Sequence, residues 1–535
     1  MTLALGIDLG TTNSVAAVAT PTGVEFVLSP RGERIHPSVV AVPAGGGMLV
    51  GSEARLQRLA EPESVIFSAK RFIGQNLRSP LVLAATDGVG FLIEEGINQQ
   101  PIAVVRDRRM TMPEVSSHVL LYLKRNAERQ FGERVSQAVI TVPANFTDAQ
   151  RQATREAGRL AGLEVLRLIN EPTAAALAYG FGKRLHEQVC VFDLGGGTFD
   201  ASLLRVEDEL FEVVASEGEF FLGGDDLDRE LAEHLAERFH AHLRVDPRPH
   251  PLLMMKLQMS AESIKCHLSE HLVAEGEIDG LDLPDGEVVK LPFRVTREDF
   301  ERMIAPLVDR ALTVTQRMLD VAGVLPSEIS DVLCVGGSTR IPAVRRQLAA
   351  LFGREPNVRI NPDEVVAQGA AIQAGSLSGG VIPGTGMAAL DSVTTLAMSP
   401  LSLGGRSVAL APPARPLLLD VTPATLAIQT TGGFTEMLLD KNLPIPIERS
   451  RVFSTARDKQ TRVEIHCCRG EAKRYSDNEP LGLLVLEDLP ERARGELTIE
   501  VTFRVDTDGI LHVRARDTAS GQRRDVRLNI LGAPS

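Results

Sequence analysis

The chain has 535 residues, of which 44% are hydrophobic and 24% are charged, and it carries a formal net charge of −13. This length predicts more than one domain, because a domain usually holds about 100–200 residues. The negative balance disfavours nucleic-acid binding, which needs a basic face for phosphate contacts. The five cysteines show no metal-ligand spacing, the N-terminus shows no leader pattern, and no apolar run reaches membrane-spanning length. We therefore expect a cytoplasmic protein with neither nucleic acid nor membrane as a partner.

The first predicted element is a hairpin that begins near residue 5. Apolar residues lead into Asp8, and an apolar run follows the turn residues Gly10, Thr11, Thr12 and Asn13. Glycine in such a turn permits positive φ and leaves no Cβ in the way of a bulky anion. Successive backbone N–H groups there form a concave anion site. An acid beside that site makes sense if Mg²⁺, with several bound waters, lies between the carboxylate and a phosphate.

The next segments alternate between strands and helices. Pro113 to Gly132 has helical apolar spacing, and Ala138 to Pro143 has the composition of a buried strand. Thr147 or Asp148 is the expected cap of a helix that runs to about Ala161. Earlier in the chain, Lys70 stands in an apolar setting, where on its own it is most simply a surface lysine whose stem covers apolar groups.

A second copy of the hairpin follows at residues 189–204. An apolar run enters Asp193-Leu194, three glycines (Gly195, Gly196, Gly197) form the turn, and Thr198-Phe199-Asp200 begins an apolar alternation. For one copy alone, a glycine-rich hairpin with solvated acids is a reasonable alternative. Two widely separated copies instead predict two similar half-domains that face each other across one nucleotide.

The region from residue 223 to 376 continues the alternation and indicates the α/β class. Gly223-Gly224-Asp225-Asp226 should open a helix through Leu235. Residues 252–269 should form a helix with three polar residues on one face, which on its own indicates a solvated surface: Glu262, Lys265 and Ser269. A strand then runs into Gly336-Gly337-Ser338-Thr339-Arg340, where the glycine pair lets a flat ring approach the backbone. Asn361-Pro362-Asp363 should cap the last helix.

Other nucleotide and metal motifs do not occur in the sequence. There is no Walker A loop, since the only Gly-Lys pair, Gly182-Lys183, is followed by Arg184. No strand precedes a GxGxxG turn with a suitably placed acid. His267 and His271 have the spacing of helical metal ligands, but they are more simply solvated.

The composition changes after residue 376. Residues 377–415 are rich in Gly, Ser, Pro and Ala and predict a linker or a loosely ordered insertion. It ends in the apolar patch Leu417, Leu418, Leu419 and Asp420. Short alternating segments separated by turns such as Asp508-Gly509 follow, and they predict an antiparallel β-sandwich. We therefore expect three parts: residues 1–376, a linker at 377–420 and a sandwich at 421–535.

These segments together resemble the Hsp70 family of chaperones, in its bacterial DnaK-like form. The matching motifs of the ATPase region are Gly6–Ser14, Ser68–Gly74, Val139–Phe146, Arg167–Gly180, Val191–Asp200, Val335–Pro342 and Asn361–Ala371. Those of the linker and sandwich are Leu417–Pro423, Val452–Ala456 and Asp506–Val513. The resemblance implies an actin-like, two-lobed ATPase domain followed by an all-β peptide-binding sandwich.

The resemblance also implies ATP or ADP, Mg²⁺ and K⁺ as cofactors. Asp8 and Asp193 would hold the hydrated Mg²⁺, and the two glycine turns would cradle the phosphates. The residues implied in catalysis are Lys70, Glu171, Asp193, Thr198 and Asp200. The residues implied in nucleotide binding are Gly10, Thr11, Thr12, Asn13, Gly195, Gly196, Gly197, Gly224, Glu262, Lys265, Ser269, Gly336, Gly337, Ser338, Arg340 and Asp363. Cys266 departs from the family pattern, which often has a basic or larger residue beside the adenine.

The expected partners are unfolded or extended polypeptides, a J-domain co-chaperone and a nucleotide exchange factor, with the chain itself a monomer. The implied peptide pocket and its covering arch are Ile428, Thr431, Phe453, Ala456, Val463, Ile465 and Ile499. The implied coupling residues are Pro143, Arg151, Leu417, Leu418, Leu419 and Asp420. Arg167, Asn170, Thr173 and Asp420 match positions that engage the J-domain.

Two other classes remain as alternatives. A sugar kinase of the same fold would have no use for a sandwich and an apolar linker. A scaffold or exchange factor without hydrolysis would tolerate the loss of Lys70, Glu171 or Asp193. The sequence ends without the helical lid of the family, so we expect bound peptide to leave faster than from a lidded relative.

Overall fold

The computed structural model describes residues 3–86, 89–283, 286–379, 416–518 and 529–530. Most of the predicted linker, residues 380–415, and part of the last predicted strand lie outside them. The described residues form ten α-helices, here α1 Ser52–Ala60, α2 Pro80–Thr86, α3 Met112–Phe131, α4 Asp148–Leu160, α5 Glu171–Gly180, α6 Gly224–Leu243, α7 Pro251–Glu270, α8 Arg297–Ala322, α9 Pro342–Phe352 and α10 Val365–Leu377. None of these helices has the length and apolarity needed to cross a membrane.

The first half of the N-terminal region is built on a sheet in which the strands follow the order β12 Glu164–Asn170, β11 Val135–Val142, β1 Leu3–Asp8, β2 Asn13–Thr20 and β3 Gly23–Phe26. Its strands and those of the smaller sheets beside it are β1 Leu3–Asp8, β2 Asn13–Thr20, β3 Gly23–Phe26, β4 His36–Pro37, β5 Val40–Ala41, β6 Leu49–Val50, β7 Val65–Ile66, β8 Leu92–Glu95, β9 Pro101–Val105, β10 Arg108–Thr111, β11 Val135–Val142 and β12 Glu164–Asn170.

The second half repeats this arrangement with the order β18-β13-β14-β15. Its strands are β13 His186–Leu194, β14 Thr198–Glu207, β15 Leu210–Phe220, β16 Val273–Asp282, β17 Val288–Thr296 and β18 Asp331–Val335. In each half the first hairpin strand pairs with a parallel strand on one side and with its antiparallel partner on the other. Within the hairpins Asp8 lies opposite Val15 and Asp193 lies opposite Asp200. The prediction of two similar halves, each with its own Asp-Leu-Gly hairpin, is confirmed.

Two small-residue helices, α5 and α10, lie between the halves. A Cβ on Gly369 of α10 would lie 1.8 Å from the carbonyl oxygen of Ala174 in α5, and one on Gly6 would lie 1.9 Å from the amide nitrogen of Ala371. Larger residues would separate these backbones. The small-residue composition of both helices therefore sets how closely the two halves approach each other.

The C-terminal part is an antiparallel sandwich. One sheet has the order β21-β20-β24-β25-β28 and the other the order β23-β26-β27. The strands of this part are β19 Leu417–Val421, β20 Leu426–Gln429, β21 Thr435–Leu439, β22 Pro444–Ile445, β23 Ile447–Ser454, β24 Val463–Arg469, β25 Glu479–Leu486, β26 Thr498–Val505, β27 Leu511–Asp517 and β28 Asn529–Ile530. Inward residues of both sheets form one apolar cluster. Strand β21 was not predicted, because its residues Thr435-Glu436-Met437-Leu438-Leu439 do not alternate.

Most helix boundaries agree with the sequence, but one helix end and one cap differ. Thr147, with Gln150 in a full capping box, begins α4. Helix α6 runs beyond the predicted end at Leu235 to Leu243. The predicted cap at Asn361-Pro362-Asp363 is wrong, because α10 begins after Glu364 without a side-chain cap. Asn361 instead accepts hydrogen bonds from Arg340 and from the backbone of Asp363.

Candidate functional site: a phosphate cleft between two hairpin turns

The two glycine turns meet at the base of a cleft between the two halves. A Cβ on Gly196 would lie 1.9 Å from Thr12 Oγ1, and one on Gly197 would lie 2.7 Å from Thr11 Cγ2. The turns therefore touch each other, and only glycine fits at their contact. The prediction that these glycines adopt positive φ is wrong for Gly10 and for Gly195–Gly197, because none of them lies in the left-handed region. The close approach of the two turns explains the glycines instead.

Four acids surround one lysine beside these turns. Lys70 Nζ donates to Glu171 Oε1 at 2.5 Å, and both side chains are less than one-tenth exposed. Asp8 and Asp193 end the first strands of the two hairpins, and Asp200 lies opposite Asp193 on the neighbouring strand. The reading of Lys70 as a surface lysine is therefore wrong. The cluster is buried and has more negative than positive groups.

The pKa values reflect this excess of negative charge. Burial, together with the charge of Glu171, raises the pKa of Asp8 to about 7 and the pKa of Asp200 to about 7. Burial also raises the pKa of Asp193 well above its usual range. Burial alone would lower the pKa of Lys70, but the surrounding carboxylates outweigh it and raise that pKa. The site is therefore one that a divalent cation would stabilise.

Side chains that the sequence did not single out hold the acids in place. Thr141 Oγ1 donates to Asp8 Oδ1 at 3.1 Å, and Asn145 Nδ2 donates to Asp200 Oδ1. Both donors come from β11 and the loop after it, which lie more than fifty residues from their partners. Their position at the end of a buried strand, for Thr141, and in the loop directly after it, for Asn145, is the signal that could have indicated them.

The arrangement fits a hydrated cation better than a directly bound one. Among the described residues, no three His, Cys, Asp or Glu side chains converge closely enough to hold a metal ion. Mg²⁺ usually keeps several waters and takes one or two carboxylates plus phosphate oxygens. Asp8 and Asp193, which are half-buried and buried, respectively, and both line the cleft, suit contacts through such waters.

Most of the expected nucleotide residues line this cleft. They are Asp8, Gly10, Thr11, Thr12, Asn13, Lys70, Glu171, Asp193, Gly195, Gly196, Thr198, Gly336, Gly337 and Asp363. Gly336 adopts φ 80°, and a Cβ there would lie 2.4 Å from the carbonyl oxygen of Leu194. Gly336 therefore lies close to the end of β13, a contact that the sequence did not predict. The predicted approach of a flat ring to this glycine pair stays a prediction.

Four further expected nucleotide residues lie beside the cleft. Lys265 Nζ contacts Asp228 Oδ2 at 2.8 Å and the carbonyl oxygen of Gly224 at 3.2 Å. Ser338 Oγ, which would lie 2.8 Å from a Cβ on Gly224, donates to the carbonyl of Gly195 at 3.2 Å. Arg340 pairs with Asp363 at 2.5 Å. The structure thus brings together Lys265, Gly224 and Ser338. Arg340 instead pairs with Asp363 of the same half.

The two other residues predicted on the polar face of α7 are not in the cleft wall. Glu262 forms an ion pair with Arg55 of α1 at 2.9 Å, which connects the two halves across the cleft. The reading of this face as merely solvated is therefore wrong. Ser269 Oγ donates to the carbonyl of Lys265 at 3.1 Å. His267 and His271 have stacked rings with centroids 4.0 Å apart.

A second charged cluster next to the turns was missed. Arg71 makes a bidentate pair with Asp226 at 3.1 and 2.6 Å and also donates to the carbonyl of Gly196 at 3.2 Å. Asp225 accepts from Ser68 at 2.8 Å and from Thr12 at 3.4 Å. Both acids follow the glycine pair that opens α6, and Arg71 follows Lys70, so their positions beside predicted site residues are the available signal.

The apolar linker patch forms strand β19, which extends the second sheet. Leu417, Leu418 and Leu419 pair in parallel with residues 210–212 of β15, and the amide of Leu417 donates to the carbonyl of Glu209 at 2.9 Å. Leu418 is 5% exposed in a cluster shared with both halves, whereas Leu417 is 56% exposed. The sheet that carries Asp193 therefore continues into the chain that leads to the sandwich.

A set of polar residues joins the end of β19 to the first half. Asn170 Nδ2 donates to Asp420 Oδ1 at 2.7 Å, and Thr173 Oγ1 lies 3.4 Å from Asp420 Oδ2. Burial raises the pKa of Asp420, and Arg151 and Arg167 partly oppose that rise. The four residues that match J-domain positions are thus one cluster built around a buried carboxyl.

Arg151 connects this cluster to the sandwich. Its guanidinium donates to the carbonyls of Ala144, Phe146 and Asp508 at 3.1–3.2 Å and to Asn170 Oδ1 at 2.8 Å. Asp508 also accepts from the amide of Leu168 and pairs with Arg155. Pro143, which directly precedes Ala144, is buried. The sequence predicted Asp508-Gly509 only as a turn, because its partners lie more than 300 residues away.

The residues predicted for the peptide pocket lie mainly in the sandwich core. Ile428, Ile465 and Ile499 are buried, and the half-buried Phe453 and Val463 pack against them. Phe453 lies opposite Ile499 across β23 and β26. The two arch residues, Thr431 and Ala456, are exposed. The structure therefore brings five of the seven together.

The comparison with protein families agrees with this geometry. A family model described as Hsp70 protein matches residues 4–531, which is nearly the whole chain. The match includes both halves of the ATPase region, the linker strand and the sandwich. On the ordered site residues, the fold and this match, the chain belongs to the Hsp70 family, whose members are ATP-hydrolysing molecular chaperones.

Proposed function

We propose that this chain couples Mg²⁺-dependent ATP binding and hydrolysis to the binding and release of extended apolar peptide segments of unfolded proteins. The observation that carries the proposal is strand β19, which pairs with β15 and so extends the sheet of the second glycine turn toward the sandwich. A sheet is stiff along its hydrogen-bonded strands, so a change at the phosphate turn can reach the linker.

The acids and the lysine would divide the ATPase chemistry between them. Asp8 and Asp193 would hold hydrated Mg²⁺, and the turns Gly10–Asn13 and Gly195–Thr198 would cradle the phosphates through backbone N–H groups. Lys70 would stabilise negative charge as it develops on the transferred phosphoryl group. Glu171, Thr198 and Asp200 would orient the attacking water or the ions around it, K⁺ among them.

The adenosine would lie between the α7 face and the turn after β18. Glu262, Lys265 and Ser269 would approach it from one side and Gly336 to Arg340 from the other. The bridge from Arg55 to Glu262 would then hold the cleft closed around it. Cys266, exposed beside Lys265, supplies no charge there.

The sandwich would bind peptide as an extended segment, through backbone hydrogen bonds and an apolar pocket. The pocket would be formed by Ile428, Phe453, Val463, Ile465 and Ile499, with Thr431 and Ala456 above it. We also propose the division of the chain into an ATPase domain at 1–376, a linker at 377–420 and a sandwich at 421–535.

The coupling residues would respond to nucleotide and to partners. Leu417–Asp420 would dock when ATP is bound and leave after hydrolysis, with Pro143 and Arg151 as the relay. A J-domain protein would engage Arg167, Asn170, Thr173 and Asp420, and an exchange factor would open the cleft. We propose a cytoplasmic monomer with no nucleic-acid or membrane partner.

Single-turnover ATP hydrolysis with and without an apolar heptapeptide tests the proposal. Peptide-stimulated hydrolysis that needs Mg²⁺ and is lost in Lys70→Ala is the expected result. Lys124→Ala is the control, because Lys124 lies on α3, where its ammonium donates to the carbonyls of Ala161 and Gly162. Turnover only with a sugar would favour a kinase, and ATP binding without turnover would favour a scaffold. Either result would contradict the coupling proposed here.

A further inference from the structure

A second cavity lies behind the phosphate cleft and shares Thr11 and Thr12 with it. Its other walls are α1, α2, the segment after β7, the first turn of α6 and α7. The cavity volume is about 60 Å³. A water needs roughly 10–15 Å³ on this measure, so there is room for a few waters or one tetrahedral oxyanion.

Three buried polar atoms of this cavity's lining residues have no hydrogen-bond partner within the described chain: Arg58 Nε, Arg71 Nε and Asp228 Oδ1. The side chains of Arg71 and Asp228 are 5% and 7% exposed. Asp225 Oδ2 lies 3.4 Å from Arg71 Nε, as an ion pair without hydrogen-bond geometry. A buried polar atom without a partner is costly. Two unpaired donors and one unpaired acceptor on side chains that line one cavity suit a small molecule that supplies both kinds of group, after small shifts of these side chains toward it.

Arg58 is set up as a rigid donor. Its guanidinium lies over the Phe67 ring, 3.6 Å from the centroid, which fixes the plane of the fork. Burial lowers the pKa of Arg58, and Glu262 and Asp225 partly oppose that change. A planar guanidinium suits two oxygens of a tetrahedral anion.

The charges of the walls narrow the choice of anion. Four arginines line the cavity together with three acids: Arg55, Arg58, Arg71 and Arg229 with Asp225, Asp228 and Glu262. The arginines outnumber the acids and favour an anion, but an oxygen without a proton next to the unpaired Asp228 Oδ1 would be repelled. An anion with its own O–H group can instead donate to Asp228 Oδ1 while its other oxygens accept from Arg58 and Arg71. Inorganic phosphate keeps at least one proton near neutral pH, whereas sulfate keeps none.

We propose that this cavity binds inorganic phosphate in its protonated form and holds the phosphate that ATP hydrolysis releases into the neighbouring cleft. The second part rests on the proposed function, and the binding itself does not. Thr11 and Thr12 stand between the two cavities, so the product would have to pass only that turn. No reactant beyond ATP and water is needed.

Equilibrium titration of the full chain, loaded with Mg²⁺ and ADP, with potassium phosphate or potassium sulfate at equal ionic strength tests the site. We expect saturable phosphate binding that sulfate does not compete with. Arg58→Gln should weaken it by about tenfold or more, because a hydrogen bond to a charged group is lost. Arg302→Gln is the matched control, since Arg302 is exposed on α8 and carries the same charge.

Phosphate binding that is unchanged in Arg58→Gln, or equal binding of sulfate, would overturn the proposal. If that variant fails to fold, Arg58→Lys keeps the charge and removes the planar fork, and it should weaken phosphate while leaving the thermal midpoint close to that of the parent chain. A chain that binds phosphate through Arg58 but never cleaves ATP would keep the site and refute the proposed ATPase.

Release kinetics test the link to hydrolysis. In a single turnover, Arg58→Gln should cleave ATP at the parent rate but release phosphate to a fluorescent phosphate sensor several-fold sooner after cleavage. An unchanged interval between cleavage and release would show that the product does not stop in this cavity.

Discussion

Gly336 and Gly337 are neighbours in sequence, but only Gly336 is sterically required. Gly336 has φ 80°, and a Cβ there would lie 2.4 Å from the backbone oxygen of Leu194. Gly337 has an ordinary φ, and its nearest neighbour is the movable Asp363 carboxylate at 3.2 Å. The atoms that exclude a Cβ at Gly336 belong to the backbone at the end of β13, so a larger residue there would disturb the junction of β18 with β13.

We therefore expect Gly336→Ala to lower the free energy of unfolding of the ATPase region by about 2–4 kcal/mol, since left-handed strain and backbone overpacking add. Gly337→Ala, the control, should cost less than about 1 kcal/mol. Urea unfolding followed by circular dichroism measures both. Equal losses in the two variants would show that the close approach to Leu194 is not what requires glycine.

Arg151 is a residue whose geometry matters more than its charge. Its guanidinium donates to three backbone carbonyls and to Asn170, one of the carbonyls belonging to Asp508 in the sandwich. A lysine has the charge but cannot span four acceptors in one plane. Arg151→Lys should therefore weaken peptide stimulation of ATP hydrolysis at least severalfold. Arg159→Lys on the same helix, where the exposed arginine pairs with Glu156, should keep it. Full stimulation in Arg151→Lys would contradict this role.

Strand β19 has one buried face and one exposed face. Leu418 is buried in the cluster shared by both halves, and Leu417 is largely exposed. Removing a buried leucine side chain costs about 2–5 kcal/mol. Leu418→Ala should thus release β19 from β15, and Leu417→Ala should not. Hydrogen exchange at the amides of Leu417 and Leu419, which lie in the stretch of β19 that pairs with β15, measures this. Protection that survives in Leu418→Ala would refute it.

The elements themselves could be read from the sequence wherever the signal is local. The two hairpins, the capped helix α4 and the small-residue helices α5 and α10 all followed from residues within one turn or strand of each other. The glycines of the turns were predicted on the ground of positive φ. The structure gives a different reason, their contact with Thr11 and Thr12, which cannot be read along the chain. Lys70 and Glu262 looked like surface residues for the same reason, since Glu171 and Arg55 lie about 100 and 200 residues from them.

The rest of the site depends on contacts between distant parts of the chain. Asn145, Arg71, Asp226 and Asp508 stand next to residues or turns that the sequence did indicate, but their contacts form only when the two halves and the sandwich are brought together. Strand β21 was missed because it lacks alternation, although β20 pairs with it. The sequence alone therefore predicts the turns and their acids, but not the residues that hold the two halves and the sandwich against each other.

At the scale of the whole molecule, docking of the sandwich buries a carboxyl at the contact of α4 with β27. Asp148 accepts from the amide of Leu511 and from Gln152. Burial raises the pKa of Asp148 to about 7, the hydrogen bond from Leu511 opposes the rise, and Asp506 adds to it. Burial raises the pKa of Asp420 in the same interface as well. In the undocked molecule Asp148 would face water, with a pKa near 4.

Docking should therefore take up a proton and depend on pH. Because the pKa is higher in the docked state, the contribution of Asp148 is complete below about pH 4 and is lost as the pH rises toward about 7, by up to tenfold in the docking constant per pH unit. The chain has no tryptophan, so Leu417→Trp gives a single fluorescent reporter on β19. We expect its docked signal to be stronger at pH 5.5 than at pH 7.5.

The same reporter identifies the group that takes up the proton. Asp148→Asn mimics the neutral carboxyl, keeps an acceptor for the amide of Leu511, and needs only a flip of the Gln152 amide. It should dock more fully at pH 7.5 and lose part of the pH dependence, the remainder coming from Asp420. Asp309→Asn on the exposed face of α8 should behave as the parent chain does. If Asp148→Asn undocks the sandwich or leaves the pH dependence intact, docking binds its proton at another group.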